Sequence, residues 1–200
     1  MDRNAIILAA GTSSRFIPLS YECPKGLLKV KGEILIERQI RELNEAGIYD
    51  ICIVVGYLSE MFAYLGERFG VRFIYNEDYA YYNNTSSLIR VADLLSNSFI
   101  CSSDNYFPQN VFLEKSNYSY YSAKYAEGET SEYCMITDKE YNIIDVTIGG
   151  FNAWYMVGHA YFNEEFSRTF GEVLRKEYEK EEIRHQYWED VYIKHISSTT

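Results

Sequence analysis

Three short stretches of the 200-residue sequence combine residue types able to handle a polyanion. The first is "ILAAGTSSR", Ile7 to Arg15. An apolar run gives way to a glycine and small hydroxylated residues, so backbone amides can approach a phosphate group closely, and Arg15 adds a forked, permanent charge. The same letters also spell a plain tight turn. They match neither G-x-G-x-x-G nor G-x-x-x-x-G-K-[ST], which argues against a dinucleotide-binding dehydrogenase and against a P-loop NTPase. The second stretch, Pro24-Lys25, follows at a distance that lets a loop fold back over the same strand end; otherwise Lys25 is a solvated lysine like Lys29 and Lys31. The third is "SSDN", in which Asp104 directly follows an apolar run.

The hydrophobic pattern predicts the frame that must position these residues. Ala5 to Ala10 reads as a buried strand ending at Gly11. Leu35 to Ala46 reads as a helix with Ile36, Ile40 and Leu43 on one face and Gly47 beyond its end. "ICIVV" is a second strand, followed by a helix carrying Met61, Phe62, Leu65 and Phe69 and stopped at Gly70. "VRFIY" is a third strand, Leu88, Val91, Ala92 and Leu95 mark a helix, and "FICSSDN" is a fourth strand ending near Asp104. Alternating strands and helices predict an α/β fold, a Rossmann-like three-layer α/β/α arrangement around a mostly parallel mixed sheet. Ligands would lie beyond the carboxyl ends of its strands. Gly11 and Asp104 share that edge.

After Asn105 the pattern changes to short strand-like runs at 118–125, 133–137, 143–148 and 153–162, then an amphipathic helix at 164–179 with Phe166, Phe170, Val173 and Leu174 inward. The expectation is a single domain over residues 1–200, with an alternating strand–helix half up to about residue 105 and a small β-rich half after it, which the family resemblance given below makes the nucleotide-binding and acceptor-binding halves. The formal charge of −10 disfavours a nucleic-acid partner, so any anion must be held locally. Cys23, Cys52, Cys101 and Cys134 are far apart and read as reduced thiols. Ala5 to Ala10 is too short to span a bilayer and lacks a basic flank, which predicts no membrane association and a cytoplasmic protein.

The continuation "FIPLSYECPKGLLKVKGEILIERQIRELNEAGI" completes a pattern. It resembles the L-A-A-G-x-G-x-R-x-x-P-L-T-x-x-x-P-K signature of the nucleotidyltransferase superfamily of NDP-sugar pyrophosphorylases. Within that superfamily, "VVGYLSEMFAYL", "YNEDYAYYNNTSSL", "SSDN", "GETSEYC", "GGFNAW" and "YWEDVY" resemble, in order, the CTP:phosphocholine cytidylyltransferase (LicC-type) branch. One departure is Ser13, where the signature has glycine; serine still offers its amide but narrows the conformations of the loop.

The resemblance implies Mg2+-dependent transfer of CMP from CTP to phosphocholine, giving CDP-choline and pyrophosphate. It puts Leu8, Ala10, Gly11 and Ser13 on the nucleotide, Arg15 on the β- and γ-phosphates and Lys25 at the reacting centre. Asp104 becomes a magnesium ligand, with a second carboxylate from Glu189 or Asp190; alignment on the Tyr-Trp pair selects Glu189. In some relatives a choline kinase domain is fused downstream, which would here lie beyond Thr200.

"YYNNTSSL" offers Asn83, Asn84, Ser86 and Ser87 to a pyrimidine or ribose, one asparagine and one serine of the four, here taken as Asn84 and Ser86, or else forms an Asx-turn and helix cap. A trimethylammonium group cannot donate hydrogen bonds and is best held by ring faces. Tyr133, Trp154, Tyr187 and Trp188 are the candidate walls, with Glu132 or another carboxylate as counter-charge, although most aromatic residues in so tyrosine-rich a chain must be core or surface. His159, His185 and His195 lack metal spacing and read as structural. Two rivals stand beside this reading: a sugar-1-phosphate nucleotidyltransferase on the same scaffold, and a non-catalytic nucleotide- or choline-binding module.

Overall fold

The computed structural model describes residues 3–196, apart from the side chain of Arg15. Its central sheet has six strands in the order β5-β4-β1-β6-β8-β7. Strands β1 (Asn4–Ala9), β4 (Asp50–Val55), β5 (Arg72–Tyr75) and β6 (Ser98–Ser102) run parallel; β8 (Ile143–Phe162) pairs antiparallel with β6, and β7 (Tyr120–Thr137) antiparallel with β8. A small hairpin of β2 (Lys29–Val30) and β3 (Glu33–Ile34) precedes the first helix.

Strand alternation builds the layers. Ala5, Ile7 and Ala9 of β1 face a cluster with Ile36, Ile40 and Leu43 of α1 (Leu35–Glu45), whereas Ile6 and Ala10 face one with Leu88, Phe170, Leu174, Trp188 and Val191. Those partners come from α3 (Thr85–Ile89), α4 (Glu164–Tyr178) and α6 (Trp188–Lys194). A strand whose two faces are both apolar must be covered on both sides, and the three-layer expectation holds for that reason. Gly47, with φ +76°, ends α1 as anticipated, and Gly70, with φ +71°, ends α2 (Tyr64–Phe69).

Two expectations change. The helix read through Met61 is split into a 3-10 turn at Ser59–Phe62 and α2, and the one read through Leu95 into α3 and a 3-10 turn at Ala92–Leu94. The four short strand-like runs after Asn105 merge into the two long strands β7 and β8 of one hairpin. The polar and glycine residues taken as turns lie instead at shifts of register, as between Ala126 and Glu129 opposite Ala153 and Phe151. Gly128, Gly149 and Asn152 have positive φ there, so they bend strands rather than end them.

All four cysteines are free thiols. Among the described residues no helix is long and apolar enough to cross a membrane.

His159 of β8 is fully buried, its ring stacked on Phe99 at 5.7 Å and meeting Phe107 and Phe112 edge-on at 5.2 Å each. Burial lowers its pKa to about 4. An unfolded chain, whose histidine titrates near ~6.5, therefore takes up the proton first. The contribution of His159 to stability is full above about pH 6.5 and declines as the pH falls toward about 4. Urea unfolding at about pH 7 and about pH 5 should show a smaller acid-induced loss for His159→Phe than for the wild type. Equal losses would rule out His159 as a source of the acid sensitivity.

Candidate active site

The carboxyl ends of β1, β5 and β6 open into a cleft of about 500 Å3. Its floor is the end of β1 and the glycine turn: Leu8, Ala10, Gly11 and Ser13 all line it. A Cβ on Gly11 would meet no protein atom within 4 Å, so the space it leaves open belongs to the cleft. Ser13 has φ 54° and ψ 37°, the left-handed region in which glycine is at ease, and caps the 3-10 turn Ser14–Phe16. Serine here holds the conformation that the signature's glycine would adopt. Arg15 belongs to that turn, but its side chain lies outside the described residues.

Lys25 opens a second 3-10 turn, Lys25–Leu27, behind Pro24, and its Nζ lies 3.4 Å from Asp104 Oδ2. The same ammonium stands 4.5 Å from the centre of the Phe16 ring. Asp104 follows β6 as anticipated, with its side chain 38% exposed toward the cleft. The fold thus brings two residues almost eighty positions apart into one ion pair on the cleft wall.

The opposite wall is the loop from Tyr79 to Asn84. It is pressed against the end of β4: a Cβ on Gly56 would fall 2.6 Å from Tyr79 Cβ. Fully buried Asn76 donates to the hydroxyls of Ser86 and Ser87 at 2.8 and 3.0 Å, and Ser86 donates to the Asn83 carbonyl at 2.7 Å. The Ser86 hydroxyl is thus consumed inside the loop, and of the two candidate serines Ser87 is the one on the cleft wall. Asn84 lines the cleft, while its side chain ties the loop to α6 by accepting from Trp188 N at 2.9 Å and donating to Glu189 at 3.4 Å.

Adjacent residues at the start of α6 diverge, as helical geometry requires. Glu189 accepts from the Tyr121 hydroxyl at 2.9 Å, while Asp190 accepts from the Tyr133 hydroxyl and the Tyr187 amide, each at 2.9 Å. Burial pushes the Glu189 carboxyl up to about 7, and the neighbouring Asp190 charge adds to the rise against the Tyr121 and Asn84 hydrogen bonds. The two proposed metal carboxylates are not paired with each other, since Asp104 meets Lys25 and Glu189 meets Tyr121 and Asn84. Among the described residues no three His, Cys, Asp or Glu side chains converge to form a metal cluster.

Of the four aromatic candidates, Tyr187 lines the cleft and Tyr133 meets it edge-on at 6.4 Å. Trp188 is corrected: only 3% exposed, it stacks on Tyr121 at 5.7 Å and meets Phe162 and Phe170 edge-on, leaving no ring face for a ligand. Trp154 is corrected as well. It is 55% exposed on the outer hairpin, opposite and edge-on to Tyr125, rather than on the cleft wall. Glu132 is exposed, and Asp190 is the carboxylate beside Tyr133. His185, read as structural, lines the cleft with its ring edge-on to Tyr82 at 5.0 Å. No local pattern announces it, because its neighbour Tyr82 is about a hundred residues earlier.

A glycine turn, a lysine–aspartate pair and a polar loop meet on one strand edge. The family model of the MobA-like NTP transferase domain matches residues 5–115. The chain belongs to this family. The transferase is 36% identical over 187 residues to the choline-phosphate cytidylyltransferase of Streptococcus pneumoniae, spanning 94% of this chain and 82% of that one. It is 33% identical over 198 residues to the 2-aminoethylphosphonate cytidylyltransferase of Lancefieldella rimae, 97% of this chain and 80% of that one. The solved structure of CTP:phosphocholine cytidylyltransferase from Streptococcus pneumoniae matches with a TM-score of 0.94 at 36% identity, covering 98% of the transferase and 86% of that chain. The transferase is thus a nucleotidyltransferase with the three-layer sheet expected of it.

Proposed function

We propose that the chain transfers CMP from CTP to phosphocholine, giving CDP-choline and pyrophosphate. The observation that carries this reading is the single cleft in which the glycine turn and the Lys25–Asp104 pair adjoin Tyr187, which backs onto Tyr133 and Asp190. An acceptor with a phosphate at one end and a cationic head at the other fits that layout. Its phosphate oxygen attacks the α-phosphorus of CTP in line, and the bond to the β-phosphate oxygen breaks as pyrophosphate leaves. A phosphomonoester dianion is already a nucleophile near neutral pH, so no general base is needed. The amides of the Gly11–Ser13 turn cradle the β- and γ-phosphates, with Arg15 the family's partner for them. Lys25 offsets charge building on the α-phosphoryl oxygens. Ring faces of Tyr187 and Tyr133 hold the quaternary head, each contact worth roughly 0.5–2 kcal/mol, with Asp190 as counter-charge.

Magnesium is bound through oxygen and favours one or two carboxylates with substrate phosphate oxygens and water. The residues present fit it. Asp104 offers an accessible carboxylate on the cleft wall, and Glu189 is an enclosed carboxylate held only by neutral donors, a setting that a cation relieves. When bound, the metal would neutralise phosphate charge and orient the triphosphate.

Pyrophosphate release with magnesium, crossing CTP, UTP, ATP and GTP against phosphocholine, 2-aminoethylphosphonate and glucose-1-phosphate, tests the reading. Release is expected with CTP and phosphocholine. A preference for 2-aminoethylphosphonate would keep the aromatic and acidic pocket but change its occupant; turnover of the sugar phosphate would overturn that pocket, and silence throughout would favour a binding module.

A further inference from the structure

Gln39 lies in the middle of α1 and is 1% exposed. Its side-chain Nε2 donates to the Ser102 carbonyl at 2.9 Å and to the Asn105 carbonyl at 3.2 Å. Those two carbonyls bracket Ser103 and Asp104, so one amide spans the whole turn that carries the cleft carboxylate. Because both partners are acceptors, only the NH2 end of the amide can serve there. The other end has no such use: among the described residues Gln39 Oε1 is buried without a hydrogen-bond partner. Leaving a buried acceptor unpaired is destabilising. An apolar side chain would avoid that unpaired oxygen but would also take the donor away from the Ser102 and Asn105 carbonyls, so the amide is held here by its two donors.

The same turn is pinned from two more directions. Ser103 N donates to the Leu8 carbonyl of β1 at 3.2 Å, and Asn105 donates to the Val157 and Gly158 carbonyls of β8 at 2.9 and 3.1 Å. The Lys25 turn rests directly on it, since a Cβ on Gly26 would lie 2.9 Å from Ser103 Cβ and Oγ. Among the described residues, Gln39 is the side chain of α1 that hydrogen-bonds this turn.

We propose that Gln39 is a positioning residue that fixes the Ser103–Asp104 turn, and with it the Asp104 carboxylate, in the geometry used for nucleotidyl transfer. This rests on the reading of Asp104 as part of the reacting centre. Gln39 touches no substrate and acts through the backbone on either side of Asp104. A misplacement of about 1 Å at a reacting group can lower turnover by about a hundredfold.

The test compares the wild-type chain with Gln39→Met, close in volume but without donors, and with Gln39→Leu as a second apolar replacement. Each is measured for kcat, for CTP KM, for urea unfolding and for amide hydrogen exchange of residues 103–105 without substrate or metal. Expected are a kcat at least about tenfold lower, at most a modest loss of stability, and exchange at 103–105 about tenfold faster while the sheet core keeps its protection. Unchanged exchange at 103–105 would overturn the proposal, as would faster exchange everywhere in step with lost stability. Asp104→Asn is assayed in parallel. If it is inactive, a Gln39→Met kcat within about twofold of wild type also overturns the proposal; if it turns over normally, the reading of Asp104 fails instead, and exchange alone decides whether Gln39 holds the turn.

Discussion

Replacing Lys25 by alanine is expected to lower kcat about 10²- to 10³-fold, the range seen when one preorganised donor to developing charge is removed. Stability should be nearly unchanged. The Lys25–Asp104 contact is 3.4 Å long with side chains 23% and 38% exposed, and ion pairs in such settings contribute about 1 kcal/mol or less. The cation–π contact with Phe16 adds a similarly small amount. Turnover and thermal unfolding should therefore separate cleanly. Lys25→Arg is not expected to restore the rate, because a planar fork cannot replace a compact ammonium aimed at a single oxygen. Steady-state kinetics with CTP and phosphocholine decide the matter: a Lys25→Ala kcat within a few-fold of wild type would remove Lys25 from the chemistry.

The second large effect concerns stability. Trp188→Ala is expected to cost about 3–5 kcal/mol, the usual loss for truncating a large buried aromatic ring. For a domain whose total stability is about 5–15 kcal/mol, that is enough to threaten folding. A wall of a trimethylammonium cage would behave differently, with an intact fold and a weakened acceptor KM corresponding to about 0.5–2 kcal/mol. Urea unfolding of Trp188→Phe, which keeps much of the packing, alongside its acceptor KM, separates the two. Lower stability at constant KM supports the core assignment; a raised acceptor KM at constant stability would return Trp188 to the pocket.

The contrast between Tyr187 and Trp188 shows where the sequence stops being legible. Both are aromatic and adjacent, and composition assigns them the same role. At a helix start successive side chains point about 100° apart, so one reaches the cleft and the other the core. Which is which depends on how α6 docks, and no local pattern records that. Glu189 and Asp190 diverge too, one toward the Tyr121 hydroxyl and the other toward that of Tyr133. The parts read correctly were those whose reasons are local. Ala5–Ala10 is apolar on both faces and so lies in a covered sheet, Gly47 and Gly70 end their helices, and Asp104 follows an apolar strand.

The exposed place of Trp154 on the hairpin and the choice between Ser86 and Ser87 were not legible, because exposure and hydrogen-bond saturation are tertiary properties. Gln39 was invisible for a related reason. An amide meeting two carbonyls more than sixty positions later leaves no periodicity and matches no motif.

The hairpin of β7 and β8 joins the parallel strands only through the pairing of β8 with β6, and β7 is the outermost strand. Tyr133 rides on that outer strand, whereas Gly11, Lys25 and Asp104 belong to the inner strand ends and their turns. Substitutions that reshape the hairpin can therefore accumulate over generations while triphosphate handling is conserved. On the proposed reading, a change of acceptor can draw on new residues of this peripheral ribbon around Tyr133, beside Tyr187 and Asp190 at the start of α6, while the triphosphate side stays with the parallel strand ends.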